Sequence, residues 1–567
     1  SRCAFVFLFC GCFDYPPDCL AVLPIYAIFG ESHSTGRERE RGRKREREMS
    51  LDAMLQQYGG FFNLVMASTL AFSAVLLVCR NRNKRHSSNR ALPPSPPRLP
   101  LIGNLHQLGP LPHRSLCALS QRHGPLMLLH LGHAPTLVVS SAEAAREIMK
   151  THDLVFASRP PSTAAKRFMY DYRDVSLAPY GEYWRQARRI CILHLLSSKQ
   201  VQSYQMVREE EVASMVTHVS ASSDRPINLS DVLVGFTNGI ASRVALGKKY
   251  SVEDGTSRGF RELLAEFLFL LGAFKVGDFV PGLAWVDRLS GFDARLEKNF
   301  QELDGFLERV LEEHHGQVGN DHSQEENNNS FVDVLLSLHN DYDSLGFSLE
   351  RDSIKALILD MFAAGTDTTF TTMEWAMAEL VRHPQVMKKV QHEVSGVVGQ
   401  VALVHEDDLE QMTYLKSVVK ETLRLHPPLA LLVPHESLST VELLGYEIPA
   451  KTRVMINAWA IGRDPVSWER AEEFWPERFA DSSVDFRGQH FHYIPFGAGR
   501  RGCPGIPFAM PVIELALANL LYHFSWGIPD GPRGEELDMS ESSGLITHRK
   551  SSLVLVPVPR FPSARCI

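Results

Sequence analysis

One long helical pattern, DSIKALILDMFAAGTDTTFTTMEWAMAELVRH, limits the folds that this chain can adopt. A helix from about Arg351 to His383 is on the order of 45–50 Å long, which is enough to cross a whole domain. The stretches ALILDMF and MEWAMAEL on either side of its middle are apolar. The sequence therefore predicts a domain that a single buried helix crosses.

The middle of this helix, AAGTDTT at 363–369, is built from weak helix formers. Gly365 exposes backbone, and a threonine hydroxyl can bond a carbonyl one turn back, so a local bulge is predicted there. Asp367 is a costly charge if it faces the core. A loosened turn that faces solvent is the alternative, but the apolar flanks favour a buried functional bulge.

Helical periodicity also dominates the rest of residues 106–567, which show no internal repeat. Further helices are predicted at SAEAAREIMKTHD, GFRELLAEFLFLLGAF, DARLEKNFQELDGFLERVLEEHH and PFAMPVIELALANLL. Short strands are predicted at LMLLHLG, PTLVVSS, VELLGYEIP, TRVMINAW and SLVLVPV. The predicted fold class is mostly α with minor β sheets.

Three segments precede this body. Residues 1–48 include the run GRERERGRKRERE, which cannot bury apolar surface, and we interpret them as disordered, non-native translation upstream of Met49. Residues 49–85 hold the apolar run FFNLVMASTLAFSAVLLVC and then RNRNKR, which predicts a transmembrane anchor with a cytoplasmic basic flank. A buried core helix and a cleaved signal peptide are the alternatives for this run. The closely spaced prolines of residues 86–105 predict an extended, stiff hinge, with an ordinary linker as the alternative.

Composition excludes some classes of function. The formal net charge of −7 gives no reason to expect a nucleic-acid partner. The nine cysteines are widely and irregularly spaced, so they predict neither a disulfide framework nor a paired zinc site. A reducing compartment is the better interpretation.

One of those cysteines has unusual neighbours. The stretch IPFGAGRRGCPG, residues 494–505, sets Cys503 among glycines, whereas a structural cysteine would sit among Leu, Val and Ile. Glycines bend rather than pack, and they let backbone amides crowd around the sulfur. The stretch therefore predicts a chemical role for this thiol.

Three shorter patterns accompany it. Glu421 and Arg424 lie three residues apart on one helical face, and FWPERF supplies Arg478 in an irregular stretch. Trp184 and Arg188 lie four apart, so a flat apolar ring and a cation share a helical face. Taken singly, each pattern has an ordinary structural explanation, such as a surface ion pair.

Together and in this order, these stretches resemble the cytochrome P-450 family of haem-thiolate monooxygenases, over nearly all of residues 61–560. FGAGRRGCPG matches the family's cysteine loop, F-x-x-G-x-R-x-C-x-G. AGTDTT is similar to its oxygen-binding helix, ETLR to its E-x-x-R helix, PERF to the segment that completes that ion network, and WRQAR to its W-x-x-x-R helix. IPAKTRVMINAWAIGRDP resembles the plant microsomal branch of specialised metabolism.

The resemblance implies a P-450 fold that holds haem b between the oxygen-binding helix and the cysteine loop. Cys503 would be the axial ligand of the iron, and the predicted helix after it would favour negative charge on the sulfur. The implied cofactor-binding residues are Phe496, Gly499, Arg501, Cys503, Gly505, Trp184, Arg188 and His435.

The resemblance also implies a division of roles among the remaining residues. Gly365, next to Ala364, would leave room for dioxygen, and Asp367 with Thr368 would deliver protons. His435 stands where the plant relatives carry the arginine of VPRES, and a histidine there is shorter and neutral near pH 7. A structural ion network is implied for Glu421, Arg424 and Arg478.

The implied reaction inserts one oxygen atom from O2 into a small hydrophobic substrate. NADPH electrons would come from a separate NADPH–haemoprotein reductase, because only a short segment follows Cys503 and it holds no flavin- or nicotinamide-binding pattern. The anchor places the protein in the endoplasmic reticulum membrane, with its catalytic domain on the cytoplasmic face. Terpenoid, phenylpropanoid, fatty-acid and amino-acid-derived substrates all fit an apolar pocket.

Two other functions stay open. A haem-thiolate isomerase or dehydratase would rearrange a peroxide without dioxygen or reductase, and that class tends to lose the acid–alcohol pair that is intact here as Asp367–Thr368. A non-enzymatic haem sensor or carrier would need no route for substrate. The apolar stretches AEFLFLLGAF and PLALLVP instead predict a hydrophobic substrate entrance and a hydrophobic pocket wall.

Overall fold

The computed structural model describes residues 91–249, 259–317, 330–339, 349–529, 537–542 and 544–561. These residues belong to one compact unit, Leu92–Ile567. The segment 1–48, the predicted anchor 49–85 and the start of the hinge lie outside the described residues. Their interpretations, and the domain boundary at residue 106, stay predictions.

The central helix, Arg351–Arg382, is buried along almost its whole length. It packs against the helices Leu229–Leu246, Thr413–Leu425 and Ile506–His523, and so it crosses the interior as predicted. Most of the described apolar core surrounds it.

The predicted bulge at 363–369 is wrong, because the central helix runs through this stretch without a break. The threonine hydroxyls do bond back onto the helix, as expected. Each of Thr366, Thr368, Thr371 and Thr372 donates its hydroxyl to the carbonyl four residues back, over 2.9, 2.6, 2.7 and 2.9 Å respectively. These bonds leave the backbone ladder intact, because the apolar stretches on either side pack in the core and hold the helical conformation.

The other helices confirm that the protein is mostly helical. The helix predicted at SAEAAREIMKTHD ends in a π-helical turn, Glu147–Thr151, and a second such turn is Cys191–Leu195. In chain order the α-helices are α1 Pro112–His123, α2 Ala142–Arg146, α3 Thr163–Phe168, α4 Glu182–Ile190, α5 Ser198–Ser203, α6 Gln205–Ser220, α7 Leu229–Leu246, α8 Phe260–Gly272, α9 Val276–Phe279, α10 Trp285–Leu289, α11 Phe292–Gln317, α12 Phe331–His339, α13 Arg351–Arg382, α14 Pro384–Val398, α15 Thr413–Leu425, α16 Ala458–Ile461 and α17 Ile506–His523.

The sheets are small. Strand order is β1-β2-β7-β4 in the largest sheet, in which only β2 and β7 run parallel, and β3-β9-β8 in a second. A third, two-stranded sheet pairs β5 with β6. The strands are β1 Leu126–Leu131, β2 Ala134–Val139, β3 Ile227–Asn228, β4 His435–Glu436, β5 Val441–Leu443, β6 Tyr446–Ile448, β7 Arg453–Ile456, β8 Phe524–Gly527 and β9 Val554–Pro559.

Two strand predictions need correction. VELLGYEIP forms a hairpin, because Leu444 and Gly445 take left-handed conformations with φ of 50° and 82° and reverse the chain. TRVMINAW stops being a strand after Ile456, because the Asn457 side chain accepts the N–H of Ala460 at 3.0 Å and caps a short helix.

Among the described residues, one helix, Ile506–His523, is long and apolar enough to span a membrane. Most of it is buried inside the protein, where it packs on the central helix. It follows directly on the cysteine loop, as predicted from PFAMPVIELALANLL.

The pair Glu421–Arg424 is fully buried, unlike most ion pairs at this spacing. Arg424 donates Nε and Nη2 to the two carboxylate oxygens of Glu421, each at 2.8 Å. Its remaining donors reach the carbonyls of Gly462, Ala471 and Glu473. All three nitrogens of the guanidinium thus donate hydrogen bonds, and the pair fixes the chain around residues 462–473.

Arg478 completes this network, where the sequence predicted it. Its Nε donates to Oε1 of Glu421 at 3.0 Å, and the same oxygen accepts the backbone N–H of Trp475 at 2.8 Å. Its Nη1 reaches the carbonyl of Glu469 at 2.6 Å. The buried carboxylate of Glu421 therefore holds Arg424, Arg478 and the backbone at Trp475.

Removing Arg424 should be far more damaging than removing an exposed arginine at the same spacing. We expect Arg424→Met to lower the free energy of unfolding by about 3–5 kcal/mol, because it leaves Glu421 buried without its main cation. Arg185→Met breaks the exposed i,i+3 pair with Glu182 and should cost less than about 0.5 kcal/mol. Denaturant unfolding of both variants measures the difference, and equal losses would show that burial of the network is not what matters.

Candidate functional site

The cysteine loop, residues 494–505, closes on itself through backbone bonds. The N–H of Cys503 donates to the carbonyl of Phe496 at 2.9 Å, and the N–H of Gly505 points at the sulfur of Cys503 at 3.3 Å. Gly497 and Gly499 both have φ of +67°, a conformation that other residues rarely adopt. The predicted crowding of amides around the sulfur is therefore present.

Gly499 also makes a close approach that no side chain could make. A Cβ at this position would lie 2.2 Å from the carbonyl oxygen of Met149 and 2.9 Å from a carboxylate oxygen of Asp153. Arg500 then donates Nε to Asp153 at 2.6 Å. These contacts fix the loop against the π-helical turn 147–151.

The thiol of Cys503 is accessible, although it lies deep among protein atoms. Burial raises the pKa of the thiol, while the amides of Gly505 and Ile506 and the charge of Arg188 act in the opposite direction. The helix start that the sequence predicted behind the sulfur therefore opposes, but does not cancel, the effect of burial.

The predicted oxygen-binding residues form an accessible window in the otherwise buried central helix. Ala364 is exposed, and Gly365, Asp367 and Thr368 are half-buried. A Cβ built at Gly365 would lie 3.6 Å from the ring of Phe508, which is ordinary contact distance. Phe508 lies in the first turns of the helix after Cys503, so the structure brings the window and the cysteine loop together.

Trp184, Arg188 and Arg501, the predicted propionate contacts, lie at one side of this site. Their N–H groups donate to backbone carbonyls. Arg188 donates Nη2 to the carbonyl of Gly502 at 2.6 Å, inside the cysteine loop. The indole N–H of Trp184 donates to the carbonyl of Val175 at 2.9 Å. Arg501 stacks over the Trp184 ring at 4.1 Å and donates to three carbonyls, those of Ala157, Val175 and Ala178.

Arg159, which the sequence analysis missed, joins these cations. Its guanidinium is buried and donates to the carbonyls of Ser176, Val433 and Pro434 at 3.0, 2.6 and 2.9 Å. Burial lowers the pKa of both guanidinium groups and neighbouring arginine charges act in the same direction, against the opposite effect of Asp174, so the pKa of Arg159 is about 9 and that of Arg501 about 8. An apolar context such as VFASRPP is the signal that a buried arginine leaves in the sequence.

His435 lies beside these arginines as a neutral imidazole. It is buried, and its Nδ1 is 2.8 Å from the carbonyl of Phe156. Burial and the charges of Arg159 and Arg501 hold the pKa of His435 well below its ordinary value, against the weaker opposite effect of that hydrogen bond. The prediction that this histidine is neutral near pH 7 agrees with its surroundings.

The segment 174–178 connects the arginines to the central helix. Its carbonyls accept from Trp184, Arg159 and Arg501, as described above. On its other side, the backbone N–H groups of Val175 and Ser176 donate to Oδ2 of Asp360 at 2.6 and 3.2 Å. One short segment is therefore held by the cations through its carbonyls and by a central-helix carboxylate through its amides.

The carboxyl group of Asp174 lies close to that of Asp360. The hydroxyl of Ser176 is 2.5 Å from Oδ1 of Asp360 and 2.9 Å from Oδ2 of Asp174. Burial raises the pKa of both carboxyls, and burial together with the charge of Asp360 raises the pKa of Asp174 to about 7. The pair therefore retains a proton at pH values at which an exposed aspartate is fully ionised.

Asp367 contacts His548, a histidine outside the predicted cofactor-binding and catalytic residues. The Nε2 of His548 is 3.1 Å from Oδ2 of Asp367, and its Nδ1 is 2.8 Å from the hydroxyl of Thr371. Spacing could have signalled this face: Asp360, Asp367 and Glu374 follow one another every seven residues and so share a face of the helix.

The chemistry of these groups fits haem. Buried arginines with depressed pKa values gain stability from an anionic group placed beside them, and haem carries two propionate carboxylates. An accessible thiol surrounded by amides suits an axial iron ligand. Among the described residues, no cluster of three or more His, Cys, Asp or Glu residues offers another metal site.

Comparisons with known proteins agree with this site. A family model described as cytochrome P450 matches residues 93–556. The chain is 51% identical over 513 residues to cytochrome P450 736A117 of Prunus mume, covering 89% of this chain and 98% of that protein. It is 57% identical over 456 residues to cytochrome P450 71A1 of Persea americana, covering 80% and 91%. A zebra fish cytochrome P450 structure with progesterone has a TM-score of 0.68 at 26% identity, covering 79% of this chain and 99% of that chain.

Gly499 should not tolerate a side chain. We expect Gly499→Ala to lose about 2 kcal/mol or more of stability and most of its bound haem, because the new Cβ meets the carbonyl of Met149 in a left-handed conformation. Gly305→Ala is the matched control, since it lies within a helix and has open space around its Cβ position. The ratio of haem absorbance to protein measures incorporation, and full incorporation in Gly499→Ala would contradict the required close approach.

Proposed function

This chain belongs to the cytochrome P450 family of monooxygenases, and from that premise we propose that it inserts one oxygen atom from O2 into a small apolar metabolite. NADPH is the proposed source of electrons, through a separate reductase. One observation carries the proposal: an accessible thiol, Cys503, lies in the loop next to a helix that packs on the accessible window Ala364–Thr368. The intact pair Asp367–Thr368 in that window favours oxygen chemistry over peroxide rearrangement.

Haem b is the proposed cofactor, held by residues already described. Cys503 would be the axial ligand, and Arg159, Arg188 and Arg501 would neutralise the propionates. Haem bound through a thiolate supplies the electron density that favours O–O cleavage. The protein's own contribution is to bind and orient this group and to limit the water that reaches it.

Thr368 and Asp367 are proposed to hold and move protons at the window. The hydroxyl of Thr368 donates to the carbonyl of Ala364 at 2.6 Å, so its oxygen keeps lone pairs that can accept a proton from elsewhere. The half-buried carboxylate of Asp367 lies on the next residue and reaches both the window and His548. This arrangement supports a short relay on one turn of helix.

Apolar segments around the window support a small hydrophobic substrate. The helix Phe260–Gly272 ends against the C-terminal segment, where a Cβ at Gly272 would lie 2.8 Å from Leu545. The stretch Ala430–Val433 adds buried and half-buried aliphatic side chains. Terpenoid, phenylpropanoid, fatty-acid and amino-acid-derived plant metabolites remain the proposed classes.

The proposed partner is the NADPH–haemoprotein reductase of the endoplasmic reticulum. Exposed Arg185, Arg189 and Arg500 line a surface hollow of about 400 Å³ beside Arg188, and two of them, Arg185 and Arg500, also pair with Glu182 and Asp153. A cationic surface on this side supports a partner with acidic groups. Membrane attachment with a cytoplasmic catalytic domain is proposed from residues 61–79 and their basic flank.

Expression of the full chain in microsomes with a plant reductase, followed by a metabolite screen, tests the reaction class. We expect product formation that needs NADPH, O2 and reductase together. Conversion of an organic hydroperoxide alone, without NADPH or reductase, would instead identify an isomerase or dehydratase. Bound haem without any turnover would favour a sensor or carrier.

Thr368→Ala should uncouple NADPH oxidation from product formation. We expect the ratio of product to NADPH to fall on the order of tenfold and hydrogen peroxide release to rise, because the relay loses its hydroxyl. Thr366→Ala removes a similar back bond from a buried position of the same helix and should stay coupled. Unchanged coupling in Thr368→Ala would overturn the proton role of this residue.

Cys503→Ala should abolish the thiolate type of carbon monoxide difference spectrum. The expected result is complete loss of that band, since the proposed ligand sulfur is gone. Cys117→Ala, at a half-buried cysteine outside the site, should keep it. Persistence of the band in Cys503→Ala would remove the thiolate assignment.

A further inference from the structure

A histidine outside the central helix contacts the carboxylate to which we assign proton transfer. His548 lies in the segment 544–553, and its Nε2 is 3.1 Å from Oδ2 of Asp367. Its Nδ1 is 2.8 Å from the hydroxyl oxygen of Thr371, and its ring lies beside Phe370 with centroids 5.8 Å apart. His548 therefore bridges two polar groups that lie one turn apart on the central helix.

The hydrogen bonds around His548 assign protons to both ring nitrogens. Thr371 already donates its one hydroxyl proton to the backbone carbonyl of Asp367 at 2.7 Å, so Nδ1 of His548 must donate to Thr371. The Asp367 carboxylate can only accept, so Nε2 must donate as well. The arrangement is satisfied in full only when the ring is an imidazolium.

Backbone contacts on either side hold His548 in place independently of this pair. The indole N–H of Trp375 donates to the carbonyl of Thr547 at 3.0 Å. The N–H of Leu553 donates to the hydroxyl of Ser230 at 2.8 Å. Removing the imidazole therefore leaves the segment 544–553 attached to the central helix and to the helix Leu229–Leu246.

The charged groups that face His548 favour its protonated form. Asp367 and Glu374 approach it from the central helix, and Arg549 from its own segment lies against Glu374. Burial by itself lowers the pKa of His548, but the hydrogen bond and charge of Asp367 and the charge of Glu374 outweigh it. The pKa of His548 consequently lies above its ordinary value of 6.5.

We propose that His548, as an imidazolium, is a positioning residue that fixes the orientation of the Asp367 carboxylate for proton transfer. This inference rests on the proposed monooxygenase function and deepens it. It assigns to the C-terminal segment a role in oxygen chemistry besides that of a pocket wall. Side chains at this position would control how efficiently reducing equivalents become product.

The direction of the pH dependence follows from the raised pKa. The ion pair is complete below the unfolded-state pKa, and its contribution is lost as the pH rises through the folded-state pKa of His548. Coupling of NADPH oxidation to product should therefore decline as the pH rises through that same pKa. A side chain that cannot titrate there should remove this dependence.

A double-mutant cycle on thermal unfolding tests the pair without substrate or reductase. With the haem-loaded full chain at pH 6.0, the Tm losses of His548→Gln and Asp367→Asn should be non-additive by on the order of 1 °C or more, and additive at pH 9.5. His383→Gln with Asp367→Asn is the matched control, because His383 pairs with Glu379 and is similarly exposed. Additivity of His548→Gln and Asp367→Asn at both pH values would overturn the proposal.

Coupling measurements with reductase and 7-ethoxycoumarin as a small apolar probe, or the product-forming substrate from the metabolite screen, test the positioning role. We expect His548→Gln to lower the product-to-NADPH ratio at least about threefold at pH 7, and His548→Arg to restore it with no alkaline decline. A purely structural role would give equal losses in both variants and overturns the proposal. If wild-type protein forms no product at all, the proposed function fails, while the thermal cycle still decides whether the pair exists.

Discussion

The burial of carboxylates on one long helix is the constraint on which the rest of the structure depends. Asp360, Asp367 and Glu374 share a face of the central helix, and each would be costly without a partner. Each has its main partner in a different part of the chain: Asp360 in the amides of 175–176, Asp367 in His548, and Glu374 in the hydroxyl of Ser230 and the charge of Arg549. The helix thereby draws distant segments to a single site.

Much of the fold and the site could be predicted from the sequence, because the signals were local. Apolar periodicity located the main helices, and the glycines around Cys503 located the loop whose close approaches demand them. The bulge at 363–369 was mispredicted because weak helix propensity and threonine back bonds are local signals, whereas the packing of the apolar stretches on either side keeps this helix regular. A two-residue left-handed turn likewise converted one predicted strand into a hairpin.

The partners of these residues could not be predicted, because they are far away along the chain. Arg159 contacts the carbonyls of Val433 and Pro434 only after folding. His548 contacts Asp367 from the C-terminal segment, far along the chain from the central helix. Glu421 and Arg424 were visible as a pair, but only packing reveals that both are completely shielded from water. Spacing predicts which face a side chain takes, whereas tertiary structure determines its charge state.

The segment 174–178 has a mechanical consequence. Its carbonyls are tied to Arg159 and Arg501, and its amides are tied to the helix that carries the oxygen-binding window. Because hydrogen bonds hold both its carbonyls and its amides, the segment is fixed in position. A molecule that displaces this segment must therefore break its hydrogen bonds to Arg159, Arg501 and Asp360 together, so the segment resists local opening.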